Sequence, residues 1–181
     1  IPGTIFLSDY DLGKNNFAYY DVDVADDRAN GSGFQAWNSG WQYRNGGVDI
    51  ETNDDSTNSN GHHIGFVHKG EWIKYTINVK ESGAYKAIAR YAAESDGGQF
   101  HLSLNGEDIT TTQTVSESGS WYKFVNHTDI NNIILDKGDH SFKIHFDSET
   151  PFNISSLQFT KTGQASSVDF VALNGNTDAD E

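Results

Sequence analysis

The chain has 181 residues, of which 35% are hydrophobic and 13% aromatic, with 11 Phe, 8 Tyr and 4 Trp; a disordered chain is poor in rings, so this composition specifies a folded domain, alone or with a tail. Lys and Arg number 12 against 26 Asp and Glu, and the resulting net charge of −14 repels phosphate backbones and anionic lipid, so neither nucleic acid nor membrane is expected as a partner. No apolar run approaches the ~20 residues of a membrane span, and the absence of cysteine removes disulfides, thiolate metal sites and cysteine nucleophiles together.

The first residue is Ile1 rather than Met, which reads as an excised fragment or a processed product. Residues 21–47, rich in Asp, Asn, Gly and Trp, read as a long ordered loop. Within it Asp21, Asp23, Asp26, Asp27 and Asn30 precede Gly31 at spacings like those of a calcium loop, without the closing Glu of an EF-hand. If calcium binds as a structural ion, Asp21, Asp23, Asp26 and Asn30, joined by Asp49, are the expected ligands; an acidic solvated turn is the alternative. Trp37, Trp41 and Tyr43 either wall off this loop or extend a ligand surface.

Beyond the loop the period is two. In Trp72–Val79 the residues Ile73, Tyr75, Ile77 and Val79 alternate with Trp72, Lys74, Thr76 and Asn78, as in a strand with one buried face. A Glu81-Ser82-Gly83 turn leads to a strand over 84–92, and Asp96-Gly97-Gly98 to one over 99–104. Asn105-Gly106 supplies the positive φ angles of a tight hairpin. Further strands are expected at 121–128, 132–136, 140–146 (after the Lys137-Gly138-Asp139 turn) and 153–161, and no stretch supports a helix beyond about two turns. Short strands with turns every 8–12 residues specify an all-β chain, an antiparallel β-sandwich or barrel. Residues 162–181 are small, acidic and aperiodic, so 1–161 reads as the domain and 162–181 as a linker or tail, with a docked last strand the alternative.

A colinear series of motifs goes further. Ile1-Pro2-Gly3-Thr4-Ile5, Asp9-Tyr10-Asp11-Leu12-Gly13, Ala18-Tyr19-Tyr20-Asp21-Val22-Asp23 and Gly47-Val48-Asp49-Ile50-Glu51 are followed by Ile64-Gly65-Phe66 and Lys69-Gly70-Glu71-Trp72-Ile73-Lys74-Tyr75. Then come Gly83-Ala84-Tyr85, Ser118-Gly119-Ser120-Trp121 and Phe152-Asn153-Ile154. The ordered set, spanning residues 1 to about 162, resembles the family 6 carbohydrate-binding modules of secreted polysaccharide-degrading enzymes. The resemblance implies a two-sheet jelly-roll β-sandwich that binds sugar without chemistry, at loops joining the sheets where two rings clasp a terminal sugar. By position Trp121 and Phe66 are the two walls, Glu51 is the acid that hydrogen-bonds hydroxyls, and Asn153 is the orienting amide. On residue type alone Trp121 and Phe66 also fit core positions, and Glu51 and Asn153 also fit solvated strand ends.

Relatives usually open Ile-Glu-Ala-Glu-Asp-Tyr, with both glutamates on a structural calcium, whereas this chain has Ile5-Phe6-Leu7-Ser8-Asp9-Tyr10, and Ser155 aligns with the completing carboxylate. Calcium takes six to eight oxygens, several from carboxylates, so that site is not expected here. The resemblance also implies secretion, a covalently attached catalytic domain and a monomeric module. A second site on a concave sheet face occurs in some relatives, for which Tyr75, Tyr85 and Tyr91 are available.

His62-His63 in a strand point to opposite faces and cannot chelate one ion simply; with His68 and His101 they do not specify zinc. Glu71 beside Trp72 lacks the paired-carboxylate context of a glycosidase, and no nucleophile elbow, P-loop or dinucleotide fingerprint occurs. The expected function is non-catalytic binding of a neutral β-linked polysaccharide, algal β-1,3-glucan or agarose ahead of xylan or mixed-linkage glucan. The alternatives are a small glycan-active hydrolase and a structural adhesion domain.

Overall fold

The computed structural model describes residues 1–22, 43, 44 and 46–164, the side chains of Thr128 and Asp129 excepted. Twelve strands run in chain order among these residues: β1 Gly3–Phe6, β2 Tyr19–Tyr20, β3 Ile50–Thr52, β4 His62–Ile64, β5 Trp72–Val79 and β6 Gly83–Ala92 are the first six. They are followed by β7 Gly98–Leu104, β8 Glu107–Asp108, β9 Gln113–Val115, β10 Val125–Leu135, β11 Gly138–Phe146 and β12 Asn153–Gly163. The single helical piece described is a 3-10 turn, Leu7–Asp9.

The strands form two six-stranded sheets, one ordered β10-β6-β12-β4-β3 with β1 also on β12, the other β2-β5-β11-β7-β8 with β9 also on β7. All pairings of these named strands are antiparallel, and this is the expected β-sandwich. The alternation read in β5 is realised: Ile73, Tyr75, Ile77 and Val79 are buried. They pack beside Phe142, Ile144 and Phe146 of β11 and Phe100 and Leu102 of β7 in one core cluster. The opposing sheet supplies Tyr85, Ala87, Ala89 and Tyr91 from β6 with Leu157 and Phe159 from β12. Rings meet across the interface, Phe142 against Phe159 at 5.8 Å and T-shaped. Small alanines on β6 leave room for these rings, the large–small matching that close packing demands. Each fully buried ring is worth about 1.5–3 kcal/mol.

Asn105-Gly106 does turn β7 into β8, with φ of 53° and 94° and Leu104 opposite Glu107. The expected pair of strands at 121–128 and 132–136 is instead one strand, β10, bent by register shifts between His127 and Ile130 and between Ile130 and Ile133. An inserted residue turns successive side chains to the other face, which breaks a period-two pattern without ending the strand. Strand β12 has the same device. Its register shifts between Ile154 and Ser156, so Ile154 and Leu157 both reach the core although they lie three positions apart, an odd spacing that an unbroken alternation would send to opposite faces.

Tyr75, Tyr85 and Tyr91 are 3%, 0% and 5% exposed, so they belong to the core and offer nothing to a ligand on a sheet face. The Tyr75 hydroxyl donates to the Leu7 carbonyl at 2.7 Å and that of Tyr85 to Glu81 at 2.7 Å. Of the loop read over 21–47, residues 23–42 and 45 lie outside the described residues, and with them Trp37 and Trp41. Strand β12 continues to Gly163, past the boundary read at 161, and residues 165–181 lie outside the described residues. No helix among the described residues is long and apolar enough to cross a membrane.

Candidate functional site

Strands β3 and β4 pair Ile50 with Ile64 and Glu51 with His63. Both isoleucines are buried in the core; alternation therefore sends Glu51 and His63 to the other face. After β4 the chain makes a sharp change. Gly65 N–H donates to the Asp49 carbonyl at 3.1 Å, Phe66 adopts φ 52°, and Val67 returns to the core. A left-handed conformation is uncommon for a bulky residue and turns its side chain away from the direction alternation would give. Phe66 is accordingly 39% exposed.

Two further pieces complete the site. The turn Ser118-Gly119-Ser120 is anchored by Ser118, whose hydroxyl accepts from Ala93 N–H at 2.9 Å, and Gly119 has φ 99°. Trp121 and Tyr122 follow in the turn itself, ahead of β10, so Trp121 does not open a strand as expected. Asn153, the first residue of β12, is 4% exposed, and its amide donates to the Trp121 carbonyl at 2.8 Å. The other end of that amide faces Gly65, where an added Cβ would lie 2.7 Å from Oδ1. Only a glycine lets β4 approach the amide so closely.

Glu51, Phe66, Trp121 and Asn153, all named from sequence, line one cavity of about 270 Å³ together with Tyr122 and Pro151. Sequence reasoning missed Tyr122, which is 61% exposed with its hydroxyl 3.5 Å from Glu51 Oε2. It also missed His63. Asn53 Oδ1 accepts from Asp55 N–H at 3.1 Å and from the Ser59 hydroxyl at 3.0 Å, which leaves the Asn53 amino group 3.4 Å from His63 Nδ1. An Nδ1 that accepts puts the proton on Nε2, and Nε2 lies 3.4 Å from Glu51 Oε2. Burial lowers the His63 pKa to about 4, aided by His62, so at neutral pH this is a neutral imidazole against a carboxylate rather than an ion pair. Burial raises the Glu51 pKa, opposed by the Tyr122 hydroxyl. The cavity thus offers exposed ring faces, one partly desolvated carboxylate acceptor and one fixed amide, the equipment for a hydroxyl-rich ring with apolar C–H faces.

The metal readings divide. Asp23, Asp26 and Asn30 lie outside the described residues; Asp21 and Asp49 are buried and border a cavity of about 10 Å³ with Glu71. Among the described residues no group of three or more His, Cys, Asp or Glu is placed to hold a metal ion. At the other position, Phe6 has no side-chain oxygen, the Ser8 hydroxyl is bonded to Asn60 at 2.8 Å, and that of Ser155 donates to the Arg90 carbonyl at 3.3 Å. Those residues do not fit calcium, which needs several carboxylates. Glu71 accepts from the backbone N–H groups of Val22 at 3.1 Å and His68 at 2.9 Å, a structural use. Tyr43 stacks on His62 at 4.1 Å, and its hydroxyl bonds to Asp9.

The family model described as Carbohydrate binding module (family 6) matches residues 35–161. A β-agarase, AgaA of Microbulbifer thermotolerans, is 28% identical over 108 residues, 58% of this chain and 25% of that protein. The chain therefore spans about a quarter of the length of the curated relative it matches. Among solved structures, the C-terminal family 6 module of a marine laminarinase from Zobellia galactanivorans is 27% identical with a TM-score of 0.55, covering 63% of this chain and 88% of that one. A module of Cellvibrio mixtus lichenase 5A, solved with cellotriose, shares the fold at 24% identity and a TM-score of 0.53, covering 64% and 87%.

Proposed function

The chain belongs to the family 6 carbohydrate-binding modules, a non-catalytic family, and from that premise we propose that the cavity between Phe66 and Trp121 holds the terminal sugar of a neutral, β-linked polysaccharide. The observation that carries the reading is the convergence of Glu51, Phe66, Trp121 and Asn153 on one cavity from four separate segments. Glu51 and the net charge of −14 both disfavour an anionic sugar. β-1,3-Glucan and agarose are the favoured polymers, because the laminarinase module and the β-agarase are each more than one quarter identical to this chain over the matched residues. In a secreted protein the module would hold an attached polysaccharide-degrading domain on its substrate and raise local concentration by tethering.

Affinity electrophoresis on laminarin, agarose, xylan, mixed-linkage glucan and cellulose, with and without EDTA, tests the reading. Selective retardation by laminarin or agarose that survives EDTA is the expected result. No retardation on any polymer would remove the function. Loss in EDTA would put a metal ion under the cavity, with Asp21 and Asp49 the first positions to substitute. Reducing-end release by the chain would instead support the glycan-active alternative.

Phe66 gives a second test with effects of opposite sign. A left-handed conformation costs a non-glycine residue about 1–2 kcal/mol, and glycine loses about 0.5–1 kcal/mol of that advantage through its freer unfolded chain. Phe66→Gly should therefore melt within about 4 °C of the wild type or above it, yet lose retardation on the polymer the wild type binds. A markedly lower melting temperature would show instead that the ring serves packing.

A further inference from the structure

Behind Glu51 stands a buried donor that is left unpaired. His63 is 0% exposed, and its Nε2 makes no hydrogen bond. Nε2 lies 3.4 Å from Glu51 Oε2, past the range of about 2.7–3.2 Å in which an N–H···O bond forms. A buried donor without a partner keeps the whole cost of its lost hydration, so a small approach of the carboxylate to the ring is favourable.

The imidazole cannot make that approach itself. His63 is held on β4 opposite Glu51 on β3. The Asn53 amino group stands 3.4 Å from Nδ1, and Asn53 is fixed in turn through Oδ1 by Asp55 N–H and the Ser59 hydroxyl. Tyr122 meets the ring edge-on at 5.9 Å and Phe124 at 5.4 Å. Glu51 is the partner with room to move, because its side chain is 22% exposed. Its close neighbours all gather at one oxygen. Oε2 has His63 Nε2 at 3.4 Å and the Tyr122 hydroxyl at 3.5 Å, and a Cβ added at Gly65 would sit 3.8 Å away. Among the described residues no hydrogen bond or ion pair reaches Oε1.

We propose that His63 is a positioning residue for sugar binding: its Nε2–H takes up Glu51 Oε2 as a sugar hydroxyl donates to Oε1, which fixes the rotation of the carboxylate in the Phe66–Trp121 cavity. The proposal rests on the reading of that cavity as a sugar site. His63 does not touch the sugar; it acts through Glu51 and sets which hydroxyl the carboxylate accepts. A neutral imidazole suits the task. A cation in its place would form an ion pair with Glu51 and compete with the sugar for the negative charge, whereas a neutral donor leaves that charge available to strengthen the bond from the hydroxyl. Burial keeps His63 neutral at neutral pH.

Isothermal titration of the full chain with laminarihexaose, or agarohexaose if agarose is the polymer retained, tests this through a double-mutant cycle. His63→Phe keeps a ring and deletes the donor, and should weaken binding about five- to tenfold, the scale of one hydrogen bond. In a Glu51→Ala background the same change should cost less than about twofold, because the carboxylate it acts on is gone. His63→Gln, whose side-chain amide can present an N–H toward Oε2, should regain most of what His63→Phe loses. An equal loss in both backgrounds would assign His63 to packing alone and overturn the proposal, as would an unchanged affinity in His63→Phe. Nitrogen NMR of the wild type reads the same device without any substitution. The Nε2-bound proton of His63 should be present in the free chain and move downfield as the hexasaccharide is added. A proton on Nδ1 instead, or an Nε2–H signal unmoved at saturation, would overturn the proposal. If the wild type binds neither hexasaccharide, the sugar site itself fails; binding that ignores His63 removes only the positioning role.

Discussion

Replacing Trp121 with alanine is expected to lower affinity for the retained polysaccharide roughly 30- to 150-fold, enough to abolish retardation in a gel, with little change in folding. Burying a large side chain's apolar surface is worth about 1.5–3 kcal/mol, and a ring contact adds about 0.5–1.5 kcal/mol, so a loss of about 2–3 kcal/mol is a conservative sum for a ring facing one sugar. Stability should change little because Trp121 stands in a turn, outside the core cluster. The contact that holds Asn153 survives the change, because Asn153 donates to the backbone carbonyl of residue 121 rather than to the indole. Electrophoresis paired with a thermal melt separates the readings. A variant that melts like the wild type and still binds would dismiss Trp121 as a wall, and undiminished adhesion to a protein partner would favour a structural role for the domain.

Acid should weaken the fold more than its carboxylates alone would cause. The His63 and His145 pKa values are both lowered to about 4, first by burial, His63 with help from His62 and His145 with help from His101 and Lys143 against Asp108 and Asp147. Unfolded imidazoles take up protons below about pH 6.5. The folded chain does not until about pH 4, so unfolding consumes protons in that window and stability falls as pH drops through it, levelling off below. A shift of that size at fully buried His63 corresponds to about 3 kcal/mol, with less from the partly exposed His145. Glu51, whose carboxyl is raised, works in the opposite direction, and Asp55, lowered by its bonds to Arg90, adds to the acid loss at the bottom of the range. Melting temperatures from pH 7 to 4 should show a slope that His63→Phe flattens, since phenylalanine keeps a ring beside Tyr122 and Phe124. An unchanged slope in that variant would sink the assignment.

Long strands were legible because period two needs length to be seen. Trp72–Val79 displays four buried and four outward residues, and Asn105-Gly106 names its own turn type. Strands of two to four residues, β1 to β4, β8 and β9, have no period to measure and exist through the neighbours they pair with. The residue inserted in β10 splits one strand into two by pattern. At the site, Glu51, Phe66, Trp121 and Asn153 came from a resemblance in motif order. Alternation would have placed Phe66 by its neighbours' faces, and only a left-handed backbone overrides that. His63 carries no motif at all; its part follows from lying opposite Glu51, a register that no local pattern encodes. Tyr122 is one tyrosine among eight in the chain until the turn sets it on the wall of the cavity.

The position of β12 has a consequence for how the molecule is made. The last strand among the described residues lies inside its sheet, flanked by β6 on one edge and by β1 and β4 on the other, and it starts with Asn153. During synthesis from the N-terminus, β1 and β4 leave the ribosome long before the strand that joins them to β6, so that sheet cannot close until nearly the whole domain has emerged. Such distant pairings make for slow folding. Nascent chains arrested before residue 153 should resist protease poorly, and resistance and sugar binding should arise together, because one segment completes both the sheet and the binding cavity.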